Sequence, residues 1–185
     1  MEWTGQRYAD QPTVAVETYV EAPCERVWAL VSDIHLMAEL SDELVAVDWL
    51  DGATGPAVGR RFAGRSRHQA FGAWETTSHV VECEPGRRFA WAVQDPEHPT
   101  ATWRFTLTPD GTGTRLEQWM RMGPGRSGLS VAIERMPDKE QKIVFVRLRE
   151  LEAAITVNLA AIKTRAENGP AAPRLADVTD PAGDR

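Results

Sequence analysis

Hydrophobic and polar positions alternate with a period of two in about seven separate stretches of the chain, the pattern of half-buried strands. The first, residues 14–20, reads Val-Ala-Val-Glu-Thr-Tyr-Val. Further strands are predicted at 45–50, 59–68, 73–83, 88–95, 100–108 and 114–122. Turn chemistry separates them at Asp51-Gly52, Pro85-Gly86, Pro96-Glu97-His98-Pro99 and Pro109-Asp110-Gly111. Short strands on short links make an antiparallel meander.

A period near 3.6 takes over elsewhere. Ala22-Pro23 opens a helix, with proline suited to the first helical position and Glu25 in the first turn. Val27, Trp28, Leu30 and Val31 give it an apolar stripe, Ser32-Asp33 ends it, and a second short helix follows at about His35–Leu40. Gly123 to Met136 is a longer connection with room for one helical turn. The long helix comes last. Asp138 with Gln141 three residues on forms a capping box. Val144, Leu148, Leu151, Ile155, Leu159 and Ile162 then recur at spacings of three and four. Lys163 and Arg165 suit the negative end of the dipole, and Asn168-Gly169-Pro170 stops the helix. About 30 residues at ~1.5 Å each give it a length of roughly 45 Å.

The fold class expected is therefore α+β: a curved antiparallel sheet of about seven strands around a long C-terminal helix, with two short helices after strand 1. Residues 14–168 form the domain, 1–13 an N-terminal extension, and 169–185 a tail of Pro, Ala, Asp and Arg with too little to bury for folding. No internal repeat or second domain is visible.

Charge narrows the partners. A net charge of −6 argues against a nucleic-acid binder and against docking on anionic lipid. No apolar run approaches the roughly 20 residues that span a bilayer, and Met1–Thr13 does not read as a signal peptide, so a cytoplasmic location is expected. Cys24 and Cys83 read as reduced structural thiols. No metal-ligand spacing links His35, His68, His79 and His98, and neither metal nor cofactor is expected. His35 and Asp33, at the junction of the short helices, are the best candidates for a pocket mouth.

Strand phase places the candidate site. Period-two counting puts Phe62, Gly64 and Ser66 on one face, with Trp74, Thr76, Ser78 and Val80 beside them. Phe89, Trp91 and Val93, then Trp103, Phe105 and Leu107, then Leu116, Gln118, Met120 and Met122 continue that face. Arg61, Arg65, Arg67, Glu75, His79, Arg104, Glu117 and Arg121 fall on the other, solvated face. Aromatic bulk mixed with a few small polar groups is how a small-molecule pocket is lined. A filled core in which Thr76, Ser78 and Gln118 bond backbone is the alternative. The seven tryptophans, one in nearly every element, suit a core that is wide. On the long helix Arg147 borders the apolar stripe, with Asn158 about three turns on at a similar azimuth. Its guanidinium either orients a ligand's carboxylate or enolate or, the reading favoured here, pairs with a carboxylate at the surface. Gly123-Pro-Gly-Arg-Ser-Gly128 spells GxGxxG but sits in an antiparallel meander, so it reads as a loop over the pocket entrance.

Four features carry a resemblance: Glu21-Ala-Pro-Cys-Glu-Arg-Val-Trp-Ala-Leu-Val-Ser-Asp33, Gly59-Arg-Arg-Phe-Ala-Gly64, Glu84-Pro-Gly-Arg-Arg-Phe-Ala-Trp91 and the terminal helix. Together they resemble the polyketide cyclase/dehydrase and lipid-transport family of the START-like, birch-pollen-allergen-like (SRPBCC) superfamily, over about residues 14–167. The resemblance implies a helix-grip fold with a cavity between sheet and helix. The ligand-binding residues expected in it from strand phase and the long-helix stripe are Phe62, Ser66, Trp74, Thr76, Ser78, Phe89, Trp91, Trp103, Phe105, Gln118, Met120, Arg147, Leu151 and Ile155. The function expected is binding of a hydrophobic small molecule that is polyketide-, lipid- or isoprenoid-like. A polyketide cyclase or dehydratase using the same cavity is the alternative.

Overall fold

The alternating segments pair into one seven-stranded antiparallel sheet in the order β1-β7-β6-β5-β4-β3-β2. The computed structural model describes residues 2–70 and 72–169, so the predicted tail beyond Gly169 lies outside the described residues. The strands are β1 (Thr13–Val20), β2 (Leu44–Trp49), β3 (Arg61–His68), β4 (Gly72–Glu84), β5 (Arg88–Val93), β6 (Ala101–Asp110) and β7 (Gly113–Met122). From β2 to β7 the chain meanders between neighbours. Only β1 leaves that order: it lies beside β7, and helices α1 (Cys24–Val31) and α2 (Ile34–Leu40) carry the chain to β2 at the far edge.

Register turns the predicted face into a surface. Trp91 pairs with Trp103, Trp103 with Met120 and Met120 with Val14. One step along, Phe89 pairs with Phe105, Phe105 with Gln118 and Gln118 with Val16. Phe62 stands opposite Ser78, Gly64 opposite Thr76 and Ser66 opposite Trp74. On the convex face Arg104 stacks over Trp119 at 4.7 Å, and Arg61 and Arg65 pair with Asp51 and Asp48. Two register shifts, between Val80 and Glu82 and between Leu44 and Ala46, leave Val81 and Val45 exposed and bend the sheet.

The periodic stripe makes α4 (Glu140–Asn168), whose buried residues are Val144, Leu148, Leu151, Ile155, Leu159, Ile162 and Ala166. Its contacts with the sheet concentrate on β1, so it rests along one side of the concave face. Both ends are tied. At the C-terminal end Lys163 Nζ donates to Tyr19 O and Glu167 at 2.6 Å each, and Glu167 accepts from Glu21 N at 2.8 Å. Those donors hold the Glu167 carboxyl below its ordinary pKa, the backbone amide of Glu21 foremost. At the other end Gln141 Nε2 donates to Gly5 O at 2.6 Å and Glu140 accepts from Tyr8 N at 3.1 Å.

Two local expectations need correcting. Asp138 does not cap the helix: the Lys139 amide bonds Met136 O at 2.9 Å, which makes Pro137–Lys139 a 3-10 turn with Asp138 inside it, and Gln141 is spent on Gly5. The 123–136 connection holds more than a turn, since α3 (Gly128–Arg135) forms there with Ser127 N donating to Ser130 Oγ at 3.1 Å. The N-terminal extension is also integrated. Tyr8 OH donates to Gly125 O at 2.7 Å and lies 3.1 Å from Ser127 Oγ. Gly125 fits there because a Cβ would run into the His98 and Pro99 backbone.

Leu148→Ala, at a position 2% exposed, should cost about 2–5 kcal/mol in chemical denaturation. Val157→Ala on the same helix, at a position 62% exposed, should stay within about 0.5 kcal/mol. Tyr8→Phe removes a hydroxyl that ties the extension to the 123–128 loop, and should cost about 1 kcal/mol. Equal losses for Leu148→Ala and Val157→Ala would contradict the stripe's orientation.

Candidate functional site, a cavity beneath the terminal helix

Between α4 and the concave sheet lies a cavity of about 830 Å³, at the upper part of the roughly 300–1,000 Å³ range of small-molecule sites. Its floor is aromatic. Trp91 lies parallel to Trp103 at 6.2 Å and against Phe105 at 6.0 Å and Phe62 at 6.1 Å. Met120 and Met122 extend the floor along β7, and Leu151, Ile155 and Ile162 close it from α4. Ser66, Thr76, Ser78 and Gln118 bring small polar groups into this lining.

Period-two counting therefore placed Phe62, Ser66, Trp74, Thr76, Ser78, Trp91, Trp103, Phe105, Gln118 and Met120 around one volume, and the α4 stripe supplied Leu151 and Ile155. Phe89 is the exception. It is fully buried at one end of that face, edge-on to Trp28 at 6.2 Å and against Trp91 at 5.5 Å. The reason is that α1 lays Trp28 over that end of β5, so the inward side chain meets packing instead of space.

Arg147 lines the cavity with its side chain 15% exposed, held between Glu43 at 2.7 Å and Glu150 at 3.2 Å. Burial works to lower its pKa, but the bonds and charges of Glu43 and then Glu150 leave it above the usual guanidinium value. His68 does not reach this volume. Its Nε2 lies 3.6 Å from Glu150, and it lines a separate 360 Å³ hollow beside α4 with Lys142 and Val146.

Asp33 and His35 are not at the mouth. The Asp33 carboxylate is engaged as the α2 cap, accepting from His35 N at 2.9 Å, and α2 turns Leu36, Met37 and Leu40 to the cavity instead. The rim is built by parts the sequence did not single out as pocket residues: Tyr8, Glu43, Gln94, Asp95 and His98, and Leu129 of α3. Leu36 and Leu40 at i, i+4 were a readable signal. Tyr8 sits in a stretch with no periodicity and offered none. The 123–128 loop does border the cavity, through Arg126, Ser127 and Gly128. Among the described residues no cluster of His, Cys, Asp or Glu could hold a metal ion, and no helix is long and apolar enough to cross a membrane.

Several solved structures share this helix-grip architecture. A Polyketide_cyc-like protein from Corynebacterium glutamicum is 31% identical, with a TM-score of 0.60 over 82% of this chain and 88% of its own. The Zhui aromatase/cyclase from Streptomyces sp. R1128 is 14% identical, with a TM-score of 0.60 over 87% of this chain and 99% of its own. The di-domain ARO/CYC StfQ from the steffimycin biosynthetic pathway is 18% identical, with a TM-score of 0.60 over 84% of this chain and 50% of its own. The last two likenesses concern the fold alone. Among curated proteins none matches. The match that covers residues 11–167 is to the family described as polyketide cyclase/dehydrase and lipid transport, and the chain belongs to that family.

Proposed function

We propose that the protein binds a hydrophobic small molecule, polyketide-, lipid- or isoprenoid-like, in the cavity beneath α4. One observation carries this reading: about 830 Å³ of space floored by Trp91, Trp103, Phe62 and Phe105 and lined inside by apolar groups, hydroxyls and the carboxamides of Gln118 and Asn158. Protein interiors are ordinarily close-packed, so space of this size under a tied helix supports a site meant to be filled.

Cyclase or dehydratase chemistry on a poly-β-ketone would need an acid or base beside the chain. The charged or ionisable groups reaching the cavity are poorly placed for that. Glu75, Asp95, His98 and Arg126 are exposed, Tyr8 OH is committed to Gly125, and Glu43 and Arg147 are engaged with each other. Binding is therefore the stronger reading, and positioning without acid/base help is the form any catalysis would take.

Native mass spectrometry of protein purified from its source should show an added mass that organic extraction removes. Polycyclic ligands should quench the tryptophan emission. Trp103→Ala should weaken their binding roughly tenfold, and Trp119→Ala, on the convex face, should leave it unchanged. Equal effects of the two substitutions, or saturable binding of none of the ligands, would sink the proposal.

A further inference from the structure

Unpaired polar groups face the cavity from two opposite sides, with the aromatic floor between them. On one side, Gln118 of β7 stands opposite Phe105 of β6 and Val16 of β1. Its Oε1 is sealed from open space, while its amide nitrogen reaches the cavity and also lacks a partner among the described residues. The reverse orientation would be more costly, because it would seal away two N–H donors instead of one acceptor. On the other side, β4 turns Thr76 and Ser78 inward and β3 turns Ser66 inward. Among the described residues these three hydroxyls find no hydrogen-bond partner, yet none of them is sealed off. Gly64 keeps the row open, since it stands opposite Thr76 and a Cβ there would lie 3.8 Å from the Thr76 hydroxyl.

Each side specifies what it can meet. The Gln118 amide nitrogen only donates, so the ligand atom beside it must accept, as a carbonyl oxygen does. The three hydroxyls rotate freely and can donate to a second oxygen. Asn158, on the helical roof, can present either end of its amide and so does not bias the choice. In the sheet, β4 and β7 are three strand spacings apart. At ~4.8 Å per spacing, that puts the two ligand oxygens roughly 10–14 Å from each other across the concave face. The stacked Trp91 and Trp103 fill the interval. Charge is specified by the surroundings. Of the two guanidiniums that border the cavity, Arg147 is bracketed by Glu43 and Glu150, and Arg126 is forked onto Glu134 at 2.6 and 3.0 Å. Each cation already has its counter-charge, while Glu75 and Asp95 add negative charge to the rim. An anionic group would be desolvated without compensation.

We infer that the cavity selects an uncharged, flat ligand with an oxygen acceptor at each end. A carbonyl meets the Gln118 amide nitrogen, a second oxygen meets the hydroxyls of Ser66, Thr76 and Ser78, and the apolar body lies on Trp91 and Trp103. This rests on the cavity being the ligand site, and it adds which class of molecule the site selects.

The test uses matched pyrenes, which absorb tryptophan emission: 1-ethylpyrene, 1-acetylpyrene, 1,6-diacetylpyrene and 1-pyrenecarboxylate, titrated by energy transfer. The monoketone should bind roughly fivefold tighter than the ethyl compound, and the diketone roughly fivefold tighter again. Apolar transfer alone would give the opposite order, since ethyl is the more hydrophobic group. The carboxylate should bind more weakly than the monoketone. Gln118→Leu should bring the diketone down to the affinity of the monoketone and leave 1-ethylpyrene binding unchanged. Ser66→Ala, Thr76→Val and Ser78→Ala together should do the same from the other side. Gln118→Met serves if the leucine variant does not fold, and the wild-type series needs no variant. Equal binding of the ethyl and acetyl compounds, a diketone no tighter than the monoketone, tightest binding of the carboxylate, or a diketone preference that survives Gln118→Leu would each overturn the inference while leaving the cavity reading intact. Binding of none of the four would remove both.

Discussion

Everything about the site depends on α4 being held at its two ends instead of settling onto the centre of the sheet. A helix with seven buried apolar positions gains most by sinking into the concave face, and dispersion rewards closing any gap. Here the helix rests along β1 and is fastened where it starts, through Gly5 and Tyr8, and where it ends, through Tyr19 and Glu21. All four tying residues flank or belong to β1. The strand that departs from the meander is thus also the one that fixes the helix, and the space over β3 to β7 is what remains. Bulges in β4 and β2 curve the far side away from it, and large aromatic side chains keep the floor from collapsing upward.

This division explains what could be read from the chain alone. Alternation is imposed by one face being buried, and it identified the concave residues even where the contents are empty space, because a cavity wall and a core wall demand the same side chains. The α4 stripe was legible for the same reason, down to each residue from Val144 to Ile162. What failed was local chemistry with two possible partners. Asp138-x-x-Gln141 has the spacing of a capping box, yet Gln141 finds Gly5, which is 136 positions away. Asp33 was read as free to face a pocket, and it caps the next helix instead. Phe89 obeys the alternation, and only the placement of Trp28 on α1 shows that its side chain meets packing rather than space.

Arg147 belongs to a third category, in which the residue type and its position were legible and the outcome was not. A cation beside an apolar stripe can serve a ligand or a carboxylate. Glu43 decides between them from the stretch joining α2 to β2, 104 positions away, and Glu150 adds a second counter-charge one helical turn on. Desolvating a guanidinium is tolerable only with such partners. The result is a cavity wall that is ionic in composition and close to neutral in effect, which leaves hydrogen bonding and shape to discriminate among ligands.

Trp91 shows why stability and occupancy are linked in this architecture. It is the centre of an aromatic cluster that includes Phe62, Phe89, Trp103 and Phe105, and the same ring faces the cavity. One side of it is held by Phe89, which in turn meets Trp28 of α1, so the floor is braced by the short helices that bridge the two edges of the sheet. A ligand lying on Trp91 and Trp103 supplies the contacts that an empty cavity withholds from them. Binding free energy then adds directly to folding free energy, by about 2.7 kcal/mol when free ligand stands at a hundred times its dissociation constant. The tied helix prevents the protein from gaining that energy by collapse, and so reserves it for a ligand.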